Sequence, residues 1–269
     1  MRRLALLLSF LVTVACQASA TDRFIVVQST TSTQNSGLYG YLLPKFRAKT
    51  GIEVRVVAVG TGQAIRNARN GDGDVLLVHA KAAEEEFVAD GYGVMRFDLM
   101  YNDFVIVGPA NDLAGVKGLK DVTKALAAIA SKEAPFASRG DDSGTHKKER
   151  ALWKLTGIDP TKGSGAWYRE LGSGMGATLN TGIGMGAYIL SDRASWISFG
   201  NRRGHRVLVE GDTRLFNQYG VILVNRERHP RVKAALGQLF IDWLLSKEGQ
   251  AAIAGFKVGG RKLFFPNAK

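Results

Sequence analysis

Strand and helix signals alternate along the first half of this chain, and that alternation limits the fold more than any other feature. Residues 23–28 are β-branched and apolar, a strand signal. Residues 38–49 place Leu38, Leu42 and Phe46 four apart before Gly51, a helix with a stop, in which Pro44 is expected to introduce a kink. A strand over 52–59, a helix over 62–70, a short buried strand over 75–78, a helix over 81–90 closed by Gly91 and a strand over 101–107 follow. Regular β-α alternation predicts an α/β fold with a mainly parallel sheet.

A second round comes next. It comprises a helix over 119–132, an extended piece over 135–138 and a helix over 144–156 stopped by Gly157. Strands follow over 207–210 and 219–224, then one or two helices over 231–256. The glycine-dense stretch at 163–188 is read as packed rather than as a linker, because Trp167, Tyr168, Leu171 and Met175 supply apolar bulk. Two lobes of about 100 residues each fit this order. The similar strands at 103–107 and 220–224 are candidate crossings between them, with a ligand cleft between the lobes.

The first twenty residues are set apart. Arg2 and Arg3 precede an apolar run from Leu4 to Ala15, and Ala18-Ser19-Ala20 is a small-x-small cleavage site, so 1–20 reads as an export signal cleaved near Ala20. A lipoprotein site at Cys16 fits less well, since Thr13 stands where an aliphatic residue is expected. Cleavage removes the only cysteine, so disulfide and thiolate chemistry are excluded from the mature chain. No later segment has the ~20 apolar residues of a spanning helix, so no membrane insertion of the mature chain is expected. The formal net charge of +12 falls by two with Arg2 and Arg3. The remaining basic residues are dispersed and do not interleave with aromatics, so no nucleic-acid platform is expected.

Three loops share one design: a strand ends, small hydroxylated residues follow, and a helix begins. They are Ser29-Thr30-Thr31-Ser32-Thr33, Gly60-Thr61-Gly62 and the segment from Ser138 to Thr145. In a parallel sheet such loops gather at one edge, where helix N-termini offer free N–H groups to anions. Each hydroxyl alone could be a helix cap. Three such loops argue for more, since a cap needs one hydroxyl and the first loop offers five. Arg139 supplies a guanidinium fork for an anion. Asp141 and Asp142 are expected to orient it or to cap the helix near Gly144, although an inward Asp142 stays open. A site of donors only favours a fully deprotonated oxyanion such as sulfate, molybdate or tungstate over phosphate, which carries a proton and wants an acceptor.

Other chemistry is less well supported. There is no nucleophile elbow around Ser143 and no phosphate-binding P-loop. The histidines at 79, 146, 205 and 229 lack ligand spacing, so no metal cation site is expected. A serine hydrolase using Ser143 and His146 remains the alternative of a different class, and Arg139-Gly140-Asp141 matches an adhesion tripeptide only by chance.

The Arg-x-x-x-Ser-Gly-Thr spacing of "RGDDSGTH" resembles that of periplasmic phosphate-binding proteins. A fuller likeness is carried by "STTSTQNSGL", "VGTGQAI", "DVLLVHA", "SRGDDSGTHKKE", "GMGATLN", "EGDTRLFNQYGVILVN" and "LFFPNA". Together these resemble the tungstate-binding proteins of ABC transporters, the TupA family, over essentially the whole mature chain. The resemblance implies a type II periplasmic-binding-protein fold: two α/β lobes with mainly parallel sheets joined by two hinge crossings. The expected lobes are 21–104 plus 212–269 and 105–211. It implies an oxyanion held by Thr31, Ser32 and Thr61 from one lobe and by Arg139, Ser143, Gly144 and Thr145 from the other. Thr30, Gly62, Met175 and Gly176 form a second tier.

His79 stands where the phosphate binders place a proton-accepting aspartate. Ala80-Lys81 departs from the acid and base expected after that histidine. The resemblance further implies a non-enzymatic periplasmic monomer without a resident cofactor, delivering tungstate (or alternatively molybdate) to an ABC permease.

Overall fold

The computed structural model describes residues 23–269; the expected signal peptide and Cys16 lie outside them. The first strand β1 (Phe24–Thr30) runs into a short helix α1 (Thr31–Asn35), then α2 (Leu38–Thr50), β2 (Glu53–Val59), α3 (Thr61–Arg69), β3 (Val75–Val78), α4 (Lys81–Ala89) and the long β4 (Gly93–Gly108). The helix stop at Gly51 is a left-handed cap with φ of 67°. β1 lies between β2 and β3, parallel to both, with Val27 opposite Val56 and Val75. Its alternate residues Ile25 and Val27 are fully buried, as is every residue of β3.

The chain continues through α5 (Val122–Ser131), β5 (Phe136–Ser138), α6 (Gly144–Thr156), β6 (Tyr168–Glu170), α7 (Met175–Gly184), β7 (Ile189–Asp192), α8 (Arg193–Ser198), β8 (Arg206–Val209) and β9 (Phe216–Val224). It ends with α9 (Ala234–Leu245), α10 (Lys247–Gly255), the small hairpin β10 (Lys257–Val258) and β11 (Arg261–Lys262), and β12 (Phe265–Pro266). The C-terminal apolar run is thus two helices, parted at Ser246.

The expected parallel order holds for β2-β1-β3. The two long strands then enter antiparallel: β9 pairs with β3 (Leu76 opposite Ile222) and β4 pairs with β9 (Tyr101 opposite Gln218), which makes the sheet mixed. β4 leaves β9 at Asp103, opposite Phe216, and from Phe104 onward pairs with β7 and β8 instead. One strand therefore belongs to both lobes. The candidate crossing at 220–224 lies wholly inside the first lobe's sheet, between β3 and β4; the return passage is nearer Phe216. β4 is also eight residues longer at its start than expected. Register shifts between Gly93 and Arg96 and between Asp98 and Met100 break the alternation that marks a strand.

Each lobe has apolar groups on both faces of its strands. In the first, Ile25, Phe46, Phe240 and Trp243 share a cluster, and Leu76, Val78, Phe87 and Ile222 share another. In the second, β4 sends Phe104 and Ile106 to one cluster, with Trp153 and Tyr168, and Val105 and Val107 to another, with Met175 and Leu179. The glycine-rich stretch packs as expected: Tyr168 and Met175 are fully buried, while Trp167 and Leu171 are partly so. A side chain at Gly182 would meet Ile189 and Ala137 within 3 Å, so glycine there lets α7 lie close on the sheet.

α6 carries a buried Glu149, whose Oε1 accepts from the Tyr168 hydroxyl at 2.6 Å. Burial raises its pKa from 4.5 to about 7. A raised carboxyl pKa means that the folded state holds the proton longer than the unfolded chain. Stability is therefore expected to fall as pH rises from about 4.5 to 7, by on the order of 2–3 kcal/mol. Denaturant melts across pH are expected to show Glu149→Gln more stable than wild type at pH 8 and flatter over that window.

Candidate oxyanion site

The three hydroxylated loops do converge. β1 and β2 pair to their ends, with Thr30 opposite Val59, which sets the first loop beside the second, and a direct bond joins the second to the third. The Gly144 amide donates to Thr61 Oγ1 at 2.9 Å, tying the start of α6 to the start of α3 across 83 residues of sequence. Neither position has room to spare. A Cβ on Gly144 would lie 2.9 Å from Thr61 Oγ1 and 3.1 Å from His79 Cε1, and one on Gly62 would lie 2.1 Å from Asp142 Oδ2.

Within the first loop, the hydroxyls divide by task. Thr30 is the N-cap of α1: its Oγ1 accepts from the Thr33 amide and pairs with the Thr33 hydroxyl at 2.8 Å. Ser29 Oγ donates to the Leu77 carbonyl. Thr31 Oγ1 and Ser32 Oγ are buried and have no partner in the protein. Sequence spacing did not show this division, nor the short helix α1 itself, because Ser and Thr are weak helix formers and five residues make little more than one turn.

In the third loop Ser143 is the N-cap of α6, accepting from the His146 amide at 3.2 Å. Thr145 Oγ1 is buried without a partner. Arg139 is 2 % exposed. It donates through Nη2 to Asp141 Oδ2 at 2.6 Å and through Nε to the Ser173 carbonyl at 3.4 Å. Burial lowers its pKa from the ordinary arginine value, and the Asp141 and Asp192 carboxylates act against that.

The two aspartates separate cleanly. Asp141 spends both oxygens inside the loop, on Arg139 and on the Ser143 amide. Asp142 adopts φ of 57° and points out to Lys147, with Arg66 at 3.7 Å. Of the two roles expected of the aspartates, Asp141 takes the orienting one on Arg139, and the helix cap is made by Ser143.

Of the second-tier residues, Met175 and Gly176 start α7 on the other flank, while Thr30 caps α1 and Gly62 lies against Asp142. Gly174 caps α7 without a side chain, and a Cβ there would lie 3.9 Å from Thr31 Oγ1; one on Gly176 would lie 3.8 Å from Asn35 Nδ2. Met175 is fully buried in the second lobe's core, so only its backbone remains at this edge. Ser173 connects this flank to Arg139, since its amide donates to the Arg139 carbonyl.

An unpartnered buried hydroxyl costs about 1–3 kcal/mol. Orphaned polar atoms occur elsewhere too, at Arg96 and His229 for example. Thr31, Ser32, Ser138 and Thr145 differ in coming from the converging loops, the last two from the loop that carries the buried Arg139. Such a group of donors can surround a small tetrahedral anion. A cavity of about 770 Å³ lies alongside, lined by His79, Gly144, Lys147, Lys148 and Asn217 among others; it flanks the cradle rather than containing it. Among the described residues no three His, Cys, Asp or Glu side chains group as metal ligands, and no helix is long and apolar enough to cross a membrane.

Sequence reasoning missed a buried polar network behind the cradle. His79 Nδ1 lies 3.1 Å from Asn217 Oδ1. Asn217 Nδ2 donates to Asn102 Oδ1 and Asp192 Oδ2, and Asp192 Oδ2 also accepts from Asn102 Nδ2 and the Tyr219 hydroxyl. These residues come from β4, β7 and β9 and the end of β3, so only the tertiary fold assembles them.

Comparison with known proteins agrees with this geometry. The model of the PBP superfamily domain matches residues 15–248. The chain is 50% identical to the tungstate-binding protein TupA of Peptoclostridium acidaminophilum, over 91% of this chain and 86% of that one. It is 47% identical to a putative ABC transporter anion-binding protein of Haloferax volcanii, over 91% of this chain and 72% of that one. The solved structure of the tungstate-binding protein TupA from Desulfovibrio alaskensis G20 superposes with a TM-score of 0.78 at 47% identity, covering 91% of this chain and 99% of that one. The type II fold and the convergence of the hydroxylated loops thus have one explanation: this chain belongs to the PBP superfamily and, within it, to the TupA family.

Proposed function

We propose that this protein captures tungstate between its lobes and hands it to an ABC permease. The observation that carries the reading is the donor set: the buried hydroxyls of Thr31, Ser32 and Thr145 without protein partners, on loops that converge with the one carrying Arg139, while both Asp141 oxygens are already accepting. Nothing in that set asks the ligand for a proton, which suits a fully deprotonated tetrahedral oxyanion. The ligand groups are Thr31, Ser32, Thr61, Arg139, Ser143, Gly144 and Thr145, with backbone at Gly62, Met175 and Gly176 behind them; Thr30 serves the α1 cap. Thr61 and Ser143 each accept one bond already, which leaves their hydroxyl hydrogens for the ligand. No resident cofactor takes part.

Binding closes the lobes, 21–104 plus 212–269 against 105–211, about the β4 and β9 crossings. The protein works as a periplasmic monomer, exported by its first twenty residues. The likeness to the named TupA proteins supports tungstate over molybdate. A hydrolase reading gains little, because Ser143 meets His146 through the backbone amide while the His146 ring accepts from the Asp142 amide.

Calorimetry on ligand-stripped protein with tungstate, molybdate, sulfate and phosphate tests the reading. Tungstate is expected to bind most tightly; submicromolar phosphate binding with no tungstate heat would overturn it. Gly144→Ala checks the closed contact. Its Cβ would push against Thr61 and His79, so tungstate Kd is expected to rise about tenfold, the effect of ~1–2 kcal/mol of overpacking.

A further inference from the structure

His79 is the member of this neighbourhood that the donor set does not yet use. It is 5 % exposed and its Nε2 is buried without a protein partner. The Cε1–Nδ1 edge of its ring lies against Gly144, at the same spot where Thr61 Oγ1 arrives, so the ring adjoins two residues of the cradle, with Nε2 next to Cε1 on its rim. Its ring is stacked on Tyr219 with centroids 4.7 Å apart.

The network behind it fixes which nitrogen carries the proton. Asn217 directs its Nδ2 at Asn102 Oδ1 and at the Asp192 carboxylate. Turning that amide over would set its oxygen against Asp192, so Oδ1 must face His79. Nδ1 is therefore the donor, and in the neutral ring Nε2 is a bare lone pair. The other neutral tautomer would oppose two acceptors at Asn217. His79 can thus donate from Nε2 only as an imidazolium.

Resting on the tungstate reading above, we propose that His79 is a proton-linked contact of the oxyanion: as the anion enters, Nε2 takes a proton from solvent and donates it to an anion oxygen. The ring already has an anionic partner, Asp192, relayed through Asn217 from Nδ1. The other charges that bear on it are Arg139 from the third loop and Lys148 from α6, which disfavour its protonation; the Tyr219 phenol and Phe104 ring are neutral. Burial, the largest influence, holds the ring below the usual imidazole range in the unliganded protein. A dianion at Nε2 reverses the balance. Arg139 is then satisfied by the ligand, and His79 completes a site made only of donors. A hydrogenphosphate ion, by contrast, can donate its own proton to the bare Nε2 and needs no uptake.

The sign follows from linkage. Because the anion raises the His79 pKa, affinity is highest at low pH. It falls as pH rises from the free pKa, below about 6.5, through the bound one, by up to about tenfold per pH unit. Calorimetry with sodium tungstate near pH 7, in two buffers of different ionisation enthalpy, reads the uptake directly. Wild type is expected to take up a fraction of a proton approaching ~1, and His79→Gln none. Binding without buffer dependence overturns the inference while leaving the tungstate reading intact; no tungstate binding at all overturns both. Linkage that persists in His79→Gln, or vanishes in His146→Gln instead, also overturns it. Should His79→Gln not fold, imidazole nitrogen NMR of wild type decides, with Nε2 of a buried ring expected to become protonated on adding tungstate. A ring that stays neutral refutes the proposal.

Discussion

Arg139→Ala is expected to weaken tungstate binding by at least ~2 kcal/mol, the scale of a lost charge-assisted contact, or about thirtyfold in Kd. Two effects add. The guanidinium is the only full positive charge in the three loops, and it is buried, where an ion pair is poorly screened. Its removal also releases Asp141 Oδ2, whose carboxylate would then be a free acceptor beside an anion. Arg139→Lys is expected to fall between, since an ammonium keeps the charge and loses the fork that spans Asp141 and the ligand. Titration of both variants by calorimetry, with thermal melts to confirm folding, checks the claim. Unchanged affinity in Arg139→Ala would move the cradle elsewhere.

Gly249→Ala is expected to have the largest effect on stability. Ser246 ends α9 and caps α10 through the Gly249 amide, so one residue serves both helix ends. A Cβ on Gly249 would lie 2.0 Å from the Trp243 carbonyl oxygen and 2.9 Å from Leu244 Cα. Both are backbone atoms, fixed because Trp243 packs on Phe46 in the first lobe's core. Either α9 unwinds or α10 lifts off α2 and β12. A cost of about 3 kcal/mol or more follows, and for a chain of this size a melting temperature lower by about 6–12 °C. A scan showing no shift would mean that the junction can open without loss. Tungstate affinity, measured well below the melt, is expected to survive, since the cradle is built at the starts of α1, α3 and α6 and takes no residue from α9 or α10.

Much of this was legible in the residues because the governing forces are local. Val75–Val78 and Gly144–Thr156 were readable to the residue, one from an apolar run and the other from a helical run with a Gly stop. The start of β4 was not, because its register shifts erase the alternation that sequence reading needs. α8 escaped for a similar reason: at six residues it shows no helical period, and its cap is a buried Asp192 whose partners lie on other strands.

The candidate site divides in the same way. Loops rich in Ser, Thr and Gly after strands, and an arginine four residues before Ser-Gly-Thr, were determined by the sequence alone, since strand ends and helix starts carry their own signatures. Only the tertiary structure decided which hydroxyl caps and which stays free, that Asp141 turns onto Arg139 while Asp142 turns out, and that His79 is locked by Asn217, 138 residues away. Capping and turn chemistry act within a few residues. The direction of a buried polar side chain is set by partners that the chain brings near only after it has folded.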